Sequence, residues 1–225
     1  MDTKKQAVKV IKLLKKEYPK AKIALKSVTP MQLLVAVILS AQCTDKQVNK
    51  VTASLFKKYK TPKDFANANL NTFKQEIRST GFYNNKAKNI IASAKTIQKN
   101  FDGKVPDNME DLLKLHGVAR KTANVVISAI YHKNLGVCCD THVCRLSQRW
   151  SLTKNKDPVK IEQDLMSIIP KKDWEKFSLM TIKHGRQVCY ARKPNCAGCF
   201  LNKICPKNGV NTAAGNRTRI ASSLL

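Results

Sequence analysis

Apolar residues recur along this chain at helical spacing, and the alternating pattern of a strand is nearly absent. Thr29 can cap a helix that has Pro30 at its first position and Gln32 in a capping box. A second box, Thr44 with Gln47, precedes an apolar stripe formed by Val48, Val51, Leu55 and Phe56. The pattern predicts an all-α fold.

Further helices are predicted wherever caps or glycines bracket similar stripes. Two of them start at Thr72, capped with Gln75, and at Asp107, capped with Glu110. The polar segment 208–225 has no such period, and we predict that it is a disordered tail. The remaining predicted helices cover 84–100, 121–131, 141–150, 158–168 and 174–184.

The charge of the chain indicates the kind of partner that it binds. Its 225 residues include 42 Lys+Arg and 15 Asp+Glu, which gives a formal net charge of +27. This excess favours a polyanion, although ribosomal proteins and membrane-surface binders share it. A hydrophobic content of 43% is enough for one sizeable core or two modest ones, which excludes a disordered basic tail.

The sequence also predicts an intracellular setting, which in a bacterium is the cytoplasm or nucleoid. The N-terminal stretch MDTKKQAVKV has no apolar signal-peptide core, and the most apolar run, 31–41, is too short to span a bilayer. We therefore do not expect the eight cysteines to form a secreted disulfide framework.

Two predicted helices meet at the turn LHGVAR, residues 115–120. The backbone N–H groups of Gly117, Val118 and Ala119 can bind a phosphate there. Lys121 opens the second helix, where the helix macrodipole and neighbouring Arg120 favour a neutral amine. Such an amine beside a DNA backbone is a nucleophile aimed at a sugar carbon. The alternative is an ordinary basic residue on a DNA-facing turn, and this stretch alone does not separate the two.

The last part of the chain carries four cysteines with the spacing C-x6-C-x2-C-x5-C, namely Cys189, Cys196, Cys199 and Cys205. Four thiolates suit either tetrahedral zinc or a [4Fe–4S] cluster, and the spacing matches neither standard pattern. The residues alone leave both ligands open, with unligated thiols as a lesser alternative. Between the first two cysteines, Arg192 and Lys193 form either a cationic projection for a DNA phosphate or a solvated basic loop.

The other cysteines and a nearby aspartate have simpler interpretations. Cys43 is solitary and lacks a metal-like spacing, as do Cys138, Cys139 and Cys144, so all four are expected to be small buried side chains. Asp140 precedes a predicted helix, and from the residues alone we favour an N-cap role for it.

Three motifs, in order, carry a family resemblance: LHGVARKTANVV, then CDTHVCR, then the four-cysteine segment. Together they closely resemble endonuclease III, a family of bifunctional DNA glycosylase/AP lyases in the helix-hairpin-helix superfamily. The resemblance extends from about Val28 to Cys205 and includes LLVAVILSAQCTD, STGFYNNKAKNI and HGRQVCYARKPNC.

The resemblance implies a two-lobed, all-α helix-hairpin-helix glycosylase fold with DNA bound between the lobes. A six-helix barrel would span 23–132, with the helix-hairpin-helix at about 107–131. A cluster domain would combine 1–22 with 133–207. The resemblance also implies that the four terminal cysteines hold a [4Fe–4S] cluster.

Individual residues match the family's functional positions. Lys121 matches its Schiff-base lysine and Asp140 its catalytic aspartate, which would stabilise positive charge on the sugar and assist deprotonation of the amine. Gln42 and Phe82 match residues that fill the gap left by an extruded nucleotide, although Phe82 could instead be a partly buried core aromatic. His142 either contacts DNA near the lesion or packs locally.

The turn departs from the family's usual Leu-Pro-Gly-Val-Gly sequence at two positions. His116 replaces the proline, and Ala119 replaces the second glycine. We expect an alanine held at positive φ there, at a cost of about 1 kcal/mol relative to glycine, and somewhat weaker phosphate binding.

The resemblance implies a monomeric base excision repair enzyme that acts on double-stranded DNA containing damaged bases or abasic sites, not on a membrane. It would remove damaged pyrimidines, with oxidised pyrimidines as the expected class, and then cleave the abasic site by β-elimination. One alternative is an adenine-mismatch glycosylase without lyase activity, against which Lys121 argues. Another is a non-catalytic helix-hairpin-helix DNA-binding protein, against which Lys121 and Asp140 together argue.

Overall fold

Helices alone form the regular structure of residues 2–210, the part of the chain that the computed structural model describes, and no strand occurs among them. The predicted all-α class is confirmed. The helices are α1 (Thr3–Glu17), α2 (Pro30–Leu39), α3 (Asp45–Lys58), α4 (Pro62–Ala66), α5 (Leu70–Glu76), α6 (Tyr83–Asn100), α7 (Met109–Leu113), α8 (Arg120–Tyr131), α9 (Thr141–Arg149), α10 (Pro158–Ile168) and α11 (Trp174–Gln187). Short 3₁₀ helices occur at Arg78–Thr80 and Lys171–Asp173.

Polar caps start most of these helices, as the sequence predicts for α2 and α3. The Thr29 hydroxyl accepts a hydrogen bond from the Gln32 N–H, and the Thr44 hydroxyl accepts one from the Gln47 N–H, each at 3.2 Å. Gln32 does not close its box, because its side-chain oxygen accepts from the Val28 N–H at 2.9 Å.

Two predicted helix starts are wrong. Helix α5 is capped by Asn69, whose side chain accepts from the N–H groups of residues 71 and 72, so Thr72 lies inside the helix. Helix α7 is capped by Asn108 instead of Asp107, whose carboxylate pairs with Lys133. In both cases several neighbouring polar side chains are able to cap, and contacts in the folded chain decide which one does.

Helix α4 is an element that our sequence analysis did not identify, although its signal was present. Thr61 and Asp64 form a complete capping box around Pro62 at the first turn. The helix buries Phe65, whose ring lies 5.3 Å from that of Tyr59 and 6.1 Å from that of Phe73. It adds a seventh helix to the stretch 23–132, in which six were predicted.

The buried apolar residues form two clusters that define two lobes. The first lobe contains α2–α8, with α2 buried at its centre, and the second contains α1, α9–α11 and the cysteine loop 188–207. This distribution supports the predicted division of the chain into 23–132 and 1–22 with 133–207. No helix among residues 2–210 is both long enough and apolar enough to cross a membrane.

The tail predicted to be disordered lies mostly outside the described residues, since 211–225 are not among them. Its first residue differs from the prediction. Asn208 donates to the hydroxyl of Ser151 at 2.7 Å and to the carbonyl of Gln148 at 3.3 Å. The chain is therefore still fastened to the end of α9 at this point.

We predict that Asn69→Ala lowers the free energy of unfolding by about 1 kcal/mol, because two N–H groups at the start of α5 lose their acceptor. Thr72→Ala is the matched control, and it should change this free energy by no more than about 0.5 kcal/mol. Urea denaturation measures both. A larger effect at Thr72 than at Asn69 would show that the helix starts at Thr72 after all.

Candidate functional site

An open groove between the two lobes contains the candidate catalytic residues. Lys121 from the first lobe and Asp140 and His142 from the second line it, together with Gln42. Phe82, the turn 117–119 and the loop that carries Arg192 and Lys193 do not line this groove. The two predicted catalytic side chains therefore share one cavity with Gln42 and His142, and the other predicted DNA contacts lie outside its lining.

Asp140 is the N-cap of α9. One carboxylate oxygen accepts hydrogen bonds from the N–H groups of His142 and Val143, both at 2.8 Å, and the other lies 3.0 Å from Nδ1 of His142. Burial acts to raise the pKa of Asp140, but these hydrogen bonds and the nearby positive charge of Lys121 outweigh it and leave the pKa below its usual value. The carboxylate is therefore ionised at neutral pH, as a stabiliser of positive charge must be.

His142 packs locally, which was one of the two alternatives for it. Besides its contact with Asp140, its ring lies against Gly185, where an added Cβ would be 2.8 Å from the ring Cδ2. The ring still lines the groove, and about a quarter of the side chain is exposed. Local packing and a DNA contact are therefore compatible.

Glu162 of α10 anchors the helix that carries Lys121 from the opposite lobe. Its side chain is 4% exposed, and its two oxygens accept from Arg120 Nε at 2.6 Å and from Asn124 Nδ2 at 2.9 Å. Arg120 and Asn124 flank Lys121 on α8, so this carboxylate fixes the first turn of the helix. We expected Arg120 to contact DNA and to act on the neighbouring Lys121. In the structure its guanidinium pairs with Glu162, and 41% of its side chain stays exposed, so the predicted DNA contact stays a prediction.

Gly136 makes room for this anchor. A Cβ at this position would lie 2.0 Å from Oε1 of Glu162, which is closer than any real contact. The segment before Asp140 therefore approaches the buried carboxylate at a distance that only glycine allows.

The turn before α8 differs from our expectation at Ala119. Its φ is −89° with ψ 169°, an extended conformation that any residue adopts, so alanine is not strained there. The positive φ belongs to Gly117, at 73°. The N–H of Val118 donates to Leu115 O at 3.3 Å, which leaves it less suited to a phosphate than predicted.

The first turn of α8 is nevertheless suited to an anion. Ala119 provides no side-chain hydrogen bond to the helix start. The first N–H groups of an α-helix have no partner within the helix, and the macrodipole favours negative charge beside them. Replacing the family's second glycine with alanine therefore does not block this end of the helix.

Gln42 and Phe82 share an unusual backbone conformation. Their φ angles are 53° and 48°, in the left-handed region that few residues other than glycine adopt. Both side chains are exposed, Phe82 to 64%, so the alternative of a partly buried core aromatic is wrong. Five other described non-glycine residues also have positive φ, so this backbone agrees with a functional role for Gln42 and Phe82 but does not by itself assign one.

The four cysteines outside the terminal segment are less buried than predicted. Cys43, Cys138, Cys139 and Cys144 are all partly exposed and line the groove near Asp140 and Gln42. They are short side chains in the wall of a cavity, and this position explains their exposure.

The four terminal cysteines line one small pocket. Yet within residues 2–210 no group of three or more potential ligands is close enough to hold a single metal ion. A tetrahedral zinc ion requires four donors at about 2.3 Å from one centre, whereas a [4Fe–4S] cluster bonds four thiolates through separate irons. Four thiolates around one pocket are a donor set that suits a [4Fe–4S] cluster, in which no single ion has to touch all four sulfurs.

Arg149 connects this pocket with the predicted DNA-contact loop. The buried guanidinium donates to Cys189 Sγ at 3.1 Å, to Tyr190 O at 2.7 Å and to Ala191 O at 2.9 Å. These bonds hold the base of the loop from which Arg192 and Lys193 project as exposed side chains. Sequence reasoning missed Arg149, because nothing near it in the sequence distinguishes it from the other basic residues.

His184 is a second residue beside the pocket that the sequence did not indicate. Burial lowers its pKa to about 4, so the ring is neutral, and burial raises the pKa of Tyr18 to about 12, which keeps its hydroxyl protonated. The hydroxyl lies 3.1 Å from Nδ1 of His184, and Nε2 lies 3.6 Å from Cys199 Sγ. When the hydroxyl donates to Nδ1, Nε2 carries a proton that points at this sulfur.

Comparison with known proteins identifies relatives that cover most of the chain. Residues 35–171 match the family model of the HhH-GPD superfamily base excision DNA repair protein. Endonuclease III of Synechocystis sp. is 54% identical over 207 residues, which cover 92% of this chain and 94% of the relative. Endonuclease III of Bacillus subtilis is 44% identical over 84% of this chain and 86% of its own length.

Solved structures agree with these relatives. A trapped endonuclease III–DNA covalent intermediate is 41% identical, with a TM-score of 0.88 over 92% of this chain and 97% of that one. A thermostable thymine-DNA glycosylase at 21% identity, with a TM-score of 0.80 over 91% of this chain and 97% of that one, shares the fold.

We predict different outcomes for two substitutions in the turn before α8. Gly117→Ala should destabilise the protein by more than about 1 kcal/mol, because φ is positive and the new Cβ would lie 2.7 Å from Asn89 Nδ2. Ala119→Gly should bring no gain from relief of strain, because φ is already negative. Thermal unfolding and affinity for duplex DNA measure both, and a clear stabilisation by Ala119→Gly would contradict the extended geometry.

Proposed function

Because the chain belongs to the endonuclease III family of base excision DNA repair proteins, we propose that Lys121 and Asp140 perform its chemistry in the groove between the lobes. The protein is a DNA glycosylase/AP lyase that acts on damaged DNA. One observation carries the assignment of residues. A lysine in the first turn of α8 and an ionised carboxylate at the start of α9 line the same groove from opposite lobes.

The proposed reaction begins when a damaged base leaves the sugar. Asp140 stabilises the positive charge that develops there and assists deprotonation of the Lys121 amine. The amine attacks C1′ and forms a Schiff base with the opened sugar. This cation acidifies the C2′ proton, and β-elimination breaks the strand on the 3′ side of the lesion.

Extrusion of the damaged nucleotide has to precede this chemistry, because C1′ is not accessible while the base is stacked. We propose that Gln42 and Phe82 fill the gap that the nucleotide leaves. Their exposure and strained backbone support this role. The first turn of α8, Arg192 and Lys193 would bind the phosphates, with His142 near the lesion.

We propose oxidised pyrimidines as the class of damaged base, from the family resemblance. Excision assays on duplexes that differ only in the damaged base test this directly, with an undamaged duplex as control. Preferential release of an adenine from a mismatch, without strand scission, would instead support the alternative glycosylase.

The proposed cofactor is a [4Fe–4S] cluster bound by Cys189, Cys196, Cys199 and Cys205. When bound, such a cluster links the four thiolates covalently and thereby holds the loop 188–207 together. Arg149 would then fix the position of the loop that carries Arg192 and Lys193 relative to the cluster, because it donates to Cys189 Sγ and to the carbonyls of residues 190 and 191.

We predict that Lys121→Gln keeps substantial binding to abasic-site DNA while it loses both strand scission and covalent trapping with borohydride. Lys114→Gln, which removes the same charge from the other end of the turn, is the matched control and should trap normally. Asp140→Asn should keep the amine but slow base release on the order of 100-fold, because the sugar cation loses its counter-charge. Trapping of Lys121→Gln at the wild-type rate would identify another amine as the nucleophile.

We also predict that protein purified without oxygen is yellow-brown and contains iron instead of stoichiometric zinc. Cys199→Ser should reduce solubility or DNA affinity more than the rate of the chemical step, because the cluster orders a binding loop. Cys43→Ser, which changes a thiol outside the terminal set, should leave the metal content unchanged. Metal analysis and visible absorption check all three proteins, and zinc at one equivalent without iron would refute the cluster.

A further inference from the structure

Lys86 of α6 is a buried lysine to which the proposed mechanism assigns no role. The residue is 5% exposed. Its ammonium donates to two backbone carbonyls, Leu39 O and Thr80 O, each at 2.8 Å. The two oxygens therefore lie within twice that distance of each other.

Both carbonyls end a helix. Leu39 is the last residue of α2, and Thr80 is the last residue of the 3₁₀ helix 78–80. Carbonyls in the last turn have no partner within their helix and carry partial negative charge. In residues 2–210 no backbone N–H beyond the helices donates to either oxygen, so Lys86 satisfies both.

The two chain segments that Lys86 joins are those of the proposed gap-filling residues. Gln42 follows Leu39 by three residues, and Phe82 follows Thr80 by two. Both have positive φ, a strained conformation that persists only where the surroundings hold it. An exposed hydrogen bond from Gln47 Nε2 to the Ser79 hydroxyl, at 2.7 Å, links α3, the helix that follows the Gln42 segment, to the 3₁₀ helix before Phe82.

Burying the Lys86 ammonium carries a cost in desolvation free energy. None of the ion pairs in the described part of the chain includes Lys86. Burial accordingly lowers the pKa of Lys86. An apolar side chain would fill the same space without this desolvation, but it would leave two carbonyls unpaired and would not fix the distance between the segments.

We propose that Lys86 is a positioning residue that holds the Gln42 and Phe82 segments at one fixed separation, so that both side chains enter the DNA stack together. The inference rests on the gap-filling role proposed above for Gln42 and Phe82. Lys86 itself touches neither DNA nor the reacting atoms in this scheme. Its effect is confined to the step in which the damaged nucleotide leaves the duplex.

The test compares single-turnover base release from two DNA substrates that contain the same damaged pyrimidine. In one the lesion is paired within a duplex, and in the other it lies in a small unpaired bubble, where extrusion requires little unstacking. Lys86→Met should lower the rate on the paired duplex about 10- to 100-fold and on the bubble less than about threefold, because only the first substrate needs both wedges. Fluorescence of 2-aminopurine opposite the lesion, which reports unstacking, should fall in parallel on the paired duplex.

Two further variants test whether the loss of a positive charge on α6, and not the loss of the link, explains the result. Lys88→Met removes the same charge from an exposed position of α6 and should leave both rates unchanged. Lys86→Gln keeps a neutral N–H donor and should give a paired-to-bubble ratio between those of wild type and Lys86→Met. If Lys86→Met slowed base release equally on the two substrates, the defect would be a general structural one. If it slowed neither, the link would be dispensable. Either result would overturn the inference.

Gln42→Ala and Phe82→Ala separate this inference from the function on which it rests. A selective loss on the paired duplex in these variants, without one in Lys86→Met, would refute only the positioning role. If neither wedge variant slows release from the paired duplex, the gap-filling assignment itself is wrong.

Discussion

The buried carboxylate of Glu162 is the contact on which the geometry of the groove depends. It belongs to α10 in the second lobe, yet it accepts from Arg120 and Asn124 on either side of Lys121 in the first. Removing a carboxylate from water costs several kcal/mol unless its oxygens are fully bonded, and here both are. Helix α8, which carries Lys121, is therefore bonded directly to the second lobe, which carries Asp140.

Most of the other contacts that position the proposed site are made at the ends of helices. Asp140 caps α9, Lys86 satisfies the end of α2, and α8 leaves its first turn without a side-chain cap. Arg149 serves a non-helical segment in the same manner by binding the carbonyls of residues 190 and 191. In each case the bond involves a backbone N–H or carbonyl group that has no partner within its own helix or loop. The bonds that satisfy these groups therefore also hold the proposed functional residues in place.

Local patterns predicted the class, most helices and the candidate residues, because caps, period and cysteine spacing are encoded within a few neighbouring positions. The starts of α5 and α7 were missed, since several adjacent polar residues compete to cap them. Glu162 and Lys86 had no local signal that would reveal their roles. Glu162 bonds to residues 42 and 38 positions away, and Lys86 links a residue six positions away to one 47 positions away. The sign of φ at Ala119 likewise depends on how the turn packs, and no residue type near it reveals that sign.

Asp140 combines two duties in one carboxylate, since it holds the first turn of α9 and faces Lys121 across the groove. Its pKa is lowered in the folded protein, so its contribution to stability is present above the unfolded value of about 4 and is lost as the pH falls through the lower folded value. A single protonation would then loosen the first turn of the helix and remove the negative charge that we propose as the counter-charge in the reaction. Any substitution that changes the acidity of residue 140 therefore also changes the cap of α9, the helix that it begins.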